Sequence, residues 1–98
     1  MDLSSKQRQY LRGLAHDREP IVRLGKSRIT EELTTEANRS LAAHELIKVR
    51  IEVEGARTRK DLAARLAEKT ASSLVGTIGK VAILYRAREE DPKIRLPL

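Results

Sequence analysis

Gly25-Lys26-Ser27 stands between an apolar run, Ile21-Val22-Arg23-Leu24, and a segment with helix-start signals near Thr30. Glycine, lysine and a hydroxyl residue at a strand-to-helix turn can cradle a phosphate. The backbone N–H groups and the helix dipole receive the anion, and the lysine adds a mobile charge. A nucleotide-binding P-loop requires more. It needs a glycine five positions before the Gly-Lys pair, and that position holds Pro20, which has no N–H and a fixed φ. No apolar strand ends in an aspartate suited to Mg²⁺. ATP or GTP hydrolysis and a nucleotide cofactor are therefore not expected. The turn remains either a receiver of some other phosphate or an ordinary loop with solvated cations beside it.

Other reactive constellations are weaker still. Glu89-Glu90-Asp91 lies near the C-terminus in a segment with two prolines, without a rigid frame to fix a pair of carboxylates or tune their pKa values. His16 and His44 keep no metal-ligand spacing with a second candidate, and the chain has no cysteine. His16 is better read as closing the first helix, where a cation is mildly favoured. We therefore expect no enzyme, no metal and no cofactor. The absence of cysteine fits a reducing cytoplasm. No secretory h-region follows Met1, and no run reaches the roughly 18 apolar residues of a membrane span.

Charge points to a partner. The 98 residues carry a formal net charge of +6, with a pI near 10.1. The excess is uneven: residues 1–30 hold seven basic side chains against three acidic ones, whereas 31–44 reverse the balance with Glu31, Glu32 and Glu36 against Arg39. A local basic excess suits a polyanion, nucleic acid first of all; plain solubility is the alternative. The only aromatics are Tyr10 and Tyr85. Recognition should thus rely on phosphate and shape rather than on bases stacked against aromatic rings.

These residues must be positioned by a small fold. Ser4 or Ser5 can cap a first helix over about 5–16, with Gln7, Tyr10, Leu11, Leu14 and Ala15 as its inner face and Arg8 and Arg12 on another stripe. Residues 21–24 read as a short strand with Val22 and Leu24 inward and Arg23 outward. A second helix starts at a Thr30 cap, with Leu33, Ala37, Leu41 and His44 inward. Residues 46–53 alternate Ile47, Val49, Ile51 and Val53 with Lys48, Arg50 and Glu52, which is a strand with one wet face. A third helix is expected from a Thr58 cap with Asp61 three positions on, and with a seam of Leu62, Ala63, Leu66, Ala67 and Thr70. Two strands follow, about 73–78 and 81–87, turning at Gly79-Lys80; the second is partly apolar on both faces and reads as an interior strand. The order α-β-α-β-α-β-β gives an α/β fold with a small mixed four-stranded sheet. Parallel pairs are expected within the strand–helix–strand units and an antiparallel pair at the final hairpin. Residues 1–87 form the domain and 88–98 a flexible C-terminal tail.

Five stretches carry a resemblance: "SKQRQYLRGLAH" (5–16), "PIVRLGKSRITEEL" (20–33), "HELIKVRI" (44–51), "LAEKTASSLVGTIGK" (66–80) and "VAILYR" (81–86). In this order they resemble the CRM (chloroplast RNA splicing and ribosome maturation) domain, and among its members the stand-alone bacterial YhbY-like proteins. The resemblance implies a fold similar to the C-terminal domain of bacterial translation initiation factor three. It also implies a KH-like GxxG loop that binds RNA, and association with precursors of the large ribosomal subunit. The loop would be Gly25-Lys26-Ser27-Arg28, with Arg28 where the family closes with glycine, a residue that allows positive φ and close approach of a backbone.

The expected function is a non-catalytic, cytoplasmic, monomeric RNA-binding protein that takes part in large-subunit assembly. Its partners would be ribosomal RNA and the pre-ribosomal particle, with no membrane. Gly25, Lys26, Ser27 and Arg28 would meet phosphate, and Arg8, Arg12, Arg23, Lys48 and Arg50 would extend the surface. The alternative is a protein-interaction module that docks on ribosomal proteins or pre-ribosomal particles.

Overall fold

The computed structural model describes residues 2–26 and 28–98. The elements follow the expected order: α1 (Ser5–Ala15), β1 (Val22–Leu24), α2 (Glu31–His44), β2 (Leu46–Ile51), α3 (Ala56–Lys69), β3 (Ser73–Ile78) and β4 (Val81–Tyr85). The sheet order is β1-β2-β4-β3. β1 runs parallel to β2, with Val22, Arg23 and Leu24 opposite Val49, Arg50 and Ile51. β4 is antiparallel to both β2 and β3.

This order corrects one expectation. The first strand–helix–strand unit gives an adjacent parallel pair, but the second does not: β4 lies between β2 and β3. The reason is in β4 itself, where Ala82, Ile83, Leu84 and Tyr85 are all buried. A strand apolar on both sides belongs in the sheet interior, and β3, with its exposed Ile78, takes the edge.

Alternation along the strands divides the core in two. On one face α2 and α3 bring Leu33, Ala37, Leu41, Leu62, Leu66 and their neighbours onto Val22, Leu24, Ile47, Val49, Ile51, Ala82 and Leu84. On the other face α1 contributes Leu11 and Ala15 against Leu46, Val75, Ile83 and Tyr85. The inner stripe of α1 is narrower than expected. Leu11 and Ala15 are fully buried, whereas Tyr10 and Leu14 are exposed. Consecutive helical residues are rotated by about 100°, so a helix lying on a sheet turns the adjacent stripe toward solvent. His44, at the end of α2, is likewise exposed rather than inward.

The helix starts are only partly as expected. Ser4 caps α1 in a reciprocal capping box with Gln7, and Thr30 caps α2 by accepting the Leu33 N–H at 3.1 Å. α3 begins earlier than expected. Gly55, not Thr58, is its N-cap, at φ 97°, and it offers no side-chain cap. That positive φ is open to glycine and strained for most other residues.

Residues 88–98, expected to be loose, pack onto the α1 face. Ile94 and Leu96 join the second core cluster, and Gln7 Nε2 donates to the Pro97 carbonyl at 3.0 Å. Their anchor is Glu45, buried just past α2 at φ 65°. Its carboxylate accepts the backbone N–H groups of Arg88, Lys93 and Ile94. Among the described residues, no helix is long and apolar enough to cross a membrane.

Candidate nucleic-acid interface

Because β1 and β2 are parallel, their C-terminal ends lie together, and the loops into α2 and α3 leave from one end of the sheet. The β3–β4 turn closes on the same end. The Glu52 N–H donates to the Leu24 carbonyl at 2.8 Å, and the Ile51 N–H donates to that of Lys80. One rim therefore carries Gly25, Lys26 and Arg28 from the first loop, Glu52 and Glu54 from the second, and Gly79 and Lys80 from the turn.

In the first loop, Gly25, Lys26 and Arg28 are exposed. Neither cation has a hydrogen-bond or ion-pair partner among the described residues. Ser27, the remaining loop residue, lies outside them. Gly25 does not use a left-handed φ, and a Cβ built on it would meet nothing within 4 Å. The fold therefore does not require glycine at 25. What the residue supplies is open backbone beside two free cations, at the entry to a helix whose first turn holds Glu31 and Glu32.

The remaining expected site residues fall in two other places. Arg23 and Arg50 are cross-strand neighbours on the sheet face that α1 shares. Both bind Glu52 Oε1, Arg23 through Nη1 at 2.9 Å and Arg50 through Nε at 2.8 Å. Such exposed bridges contribute about 1 kcal/mol or less, so a phosphate can compete for either cation. Lys48, on the same face but farther from the rim, donates to the carbonyls of Arg18 at 2.8 Å and His16 at 3.3 Å and so closes the end of α1.

Arg8 and Arg12 lie at the opposite edge, over β3. The Arg8 guanidinium donates to the carbonyls of Leu74 and Val75, where a register shift interrupts the β3–β4 ladder. It reaches backbone acceptors at the irregularity, where Val75 has no partner in the register. The Arg12 guanidinium lies over Gly76, so closely that a Cβ there would sit 2.7 Å from Nη2. The eight described candidates thus separate into an exposed loop, a half-paired sheet face and an edge brace.

The candidate set also omitted cations that share the rim. Arg57 and Lys60, in the first turn of α3, are exposed, and Arg59 beside them donates to the carbonyls of Val53 at 2.9 Å and Gly79 at 3.2 Å. Reading Thr58 as the cap put Arg57 outside the helix and hid the i, i+3 spacing that places it beside Lys60. Among the described residues, no cluster of three or more His, Cys, Asp or Glu side chains is placed to hold a metal ion.

The chain is similar over nearly its whole length to known proteins. The family description CRS1 / YhbY (CRM) domain matches residues 3–86. A Haemophilus influenzae protein named RNA-binding protein is 41% identical over 95 residues, covering 97% of this chain and 95% of its own. The Bacillus subtilis protein named probable RNA-binding protein YqeI is 35% identical over 95 residues, covering 97% and 99%. The solution structure of a hypothetical protein from Staphylococcus aureus superposes with a TM-score of 0.87 at 40% identity, covering 98% of this chain and all of that one.

Proposed function

We propose a function for a chain that belongs to the CRS1 / YhbY (CRM) domain family: it binds structured RNA without catalysis, through the β1–α2 loop and the basic surface around it. The observation that carries this reading is the pairing of Lys26 and Arg28, exposed and without partners among the described residues, beside the open backbone of Gly25. Free cations at a loop where a backbone can approach closely fit a phosphate chain. The names of the Haemophilus and Bacillus relatives support RNA as that chain.

The finer reading is ribosomal RNA of the large subunit, bound in the cytoplasm by a monomer acting on a pre-ribosomal particle. Residues 1–87 form the binding unit. Arg23 and Arg50 extend the surface by exchanging Glu52 for phosphate. Arg12 and Lys48 lie at its margins, and Arg8 serves it only by bracing β3. Arg28 replaces the closing glycine of the GxxG loop with an ionic contact. Crosslinking to RNA in cells, followed by sequencing of the bound fragments, tests this. A peak on large-subunit precursor RNA is expected; fragments scattered over messenger RNA would refute the ribosomal reading.

A further inference from the structure

We propose that the groove between the first turn of α3 and the β3–β4 turn is a second RNA-binding site, which takes the phosphate backbone of the RNA held at the β1–α2 loop. The inference rests on the RNA-binding reading above and adds a site to it. The groove has a volume of about 430 Å³ and is lined by Ala56, Arg57, Arg59, Lys60, Thr77 and Gly79. Three of these six are cations and none is an acid.

The cations divide the work. Arg59 is fixed: its guanidinium ties the Gly79 and Val53 carbonyls together and so holds the turn against the helix. Arg57 and Lys60 are exposed, have no partner among the described residues and face the same way at i, i+3. Ala56 and Gly79 keep the walls low. A Cβ built on Gly79 meets nothing within 4 Å, so a phosphate chain can come close to the turn. The neighbouring acids are Asp61, which is exposed, and Glu54, which pairs loosely with Lys80 at 3.7 Å.

The position fits a continuous ligand. The β1–α2 loop leaves β1 at one edge of the sheet, while the hairpin turn joins the third and fourth strands. They are two to three strand spacings apart, about 10–14 Å, along one rim. The opposite route is unfavourable, since the groove along α2 is lined by Glu31, Glu32 and Glu36 with only Arg39 against them. A polyanion leaving the loop is therefore drawn across the sheet end toward α3 rather than down α2.

The test is a fluorescence-anisotropy titration of a stem–loop RNA with single-stranded flanks, repeated over a salt series. It compares the wild type, Lys26→Glu with Arg28→Glu, and Arg57→Glu with Lys60→Glu. The groove variant should bind about tenfold or more weakly, and its log–log salt slope should be shallower by about 1.4–1.8, the loss of two phosphate contacts. The neutral pair Arg57→Gln with Lys60→Gln should lose the same slope; it decides the matter if the reversed pair melts early. If the loop variant is weakened but both groove variants bind as the wild type does, the second site is overturned and the RNA-binding reading stands. If the wild type itself binds no RNA, both fall together.

Discussion

The carboxylate of Glu45 accepts the backbone N–H of Lys93 at 2.8 Å, across 48 residues of sequence. The same Oε1 takes the Ile94 N–H at 3.0 Å, and Oε2 takes that of Arg88 at 2.9 Å. One buried side chain thus holds the C-terminal segment onto the α1 face, where Ile94 and Leu96 complete a core that α1 covers only with Leu11 and Ala15.

The first prediction concerns Glu45→Gln. The amide oxygen can replace Oε1, but its NH₂ would meet the Arg88 N–H donor to donor, leaving a buried donor unsatisfied. The variant should lose about 1–3 kcal/mol of stability in denaturant unfolding at neutral pH. Wild-type stability gained by the variant would contradict the anchoring role.

Acid titration gives a second, linked prediction. Burial raises the Glu45 pKa, but the N–H groups of Arg88, Lys93 and Ile94 and the Arg88 charge outweigh it and bring the pKa below its ordinary value of 4.5. A carboxylate with a depressed folded-state pKa contributes stability above the unfolded value. That contribution is lost as pH falls through 4.5 and then through the lower folded value. Melting temperature should therefore drop more steeply below this pH in the wild type than in Glu45→Gln. Parallel acid limbs would contradict it.

Much of the fold was legible because its signals are local. Val22 and Leu24 face inward, the alternation of β2 buries Ile47, Val49 and Ile51, and Thr30 caps α2. The features that escaped are those set by long-range partners. Nothing near Glu45 in sequence announces that its hydrogen bonds lie more than 40 residues away. The interior place of β4 was legible from its two apolar faces, but its insertion between β2 and β3, in place of an adjacent parallel pair, is a relation between strands that no single segment states. At the candidate site, the strand-to-helix turn singled out Gly25 and Lys26, and Arg28 entered as the closing position of the loop that the resemblance implies; all three are exposed. The engagement of Arg8 with the β3 bulge and of Arg23 and Arg50 with Glu52 could not be read in advance, since a charged side chain in sequence does not declare its partner.

The third prediction uses Gly55, the N-cap of α3 at φ 97°. Gly55→Ala places a side chain in that conformation, with Cβ 3.4 Å from Thr58 Oγ1. It should cost about 1–3 kcal/mol, the range for a strained non-glycine backbone. Thermal melts of the two proteins measure this; an unchanged midpoint would show that α3 restarts at Thr58 without loss.

The fourth prediction separates folding from binding at Gly25. Its backbone is unstrained and its surroundings are open, so Gly25→Ala should leave stability unchanged or raise it by about 0.4–1 kcal/mol through the unfolded chain. The added methyl should nevertheless weaken RNA binding if the phosphate chain lies against this residue. Equal affinity for the stem–loop RNA would place the backbone contact elsewhere.

The most direct measurement for the central claim is RNA affinity against salt concentration for the wild type and for Lys26→Glu with Arg28→Glu. Both side chains are exposed and unpartnered among the described residues, so circular dichroism and melting should be nearly unchanged. The wild type should show a log–log slope of about −3 to −5, as for about five phosphate contacts, and the variant should bind much more weakly with a flatter slope. A salt-independent wild-type affinity, or a variant that binds as tightly as the wild type, would contradict the account.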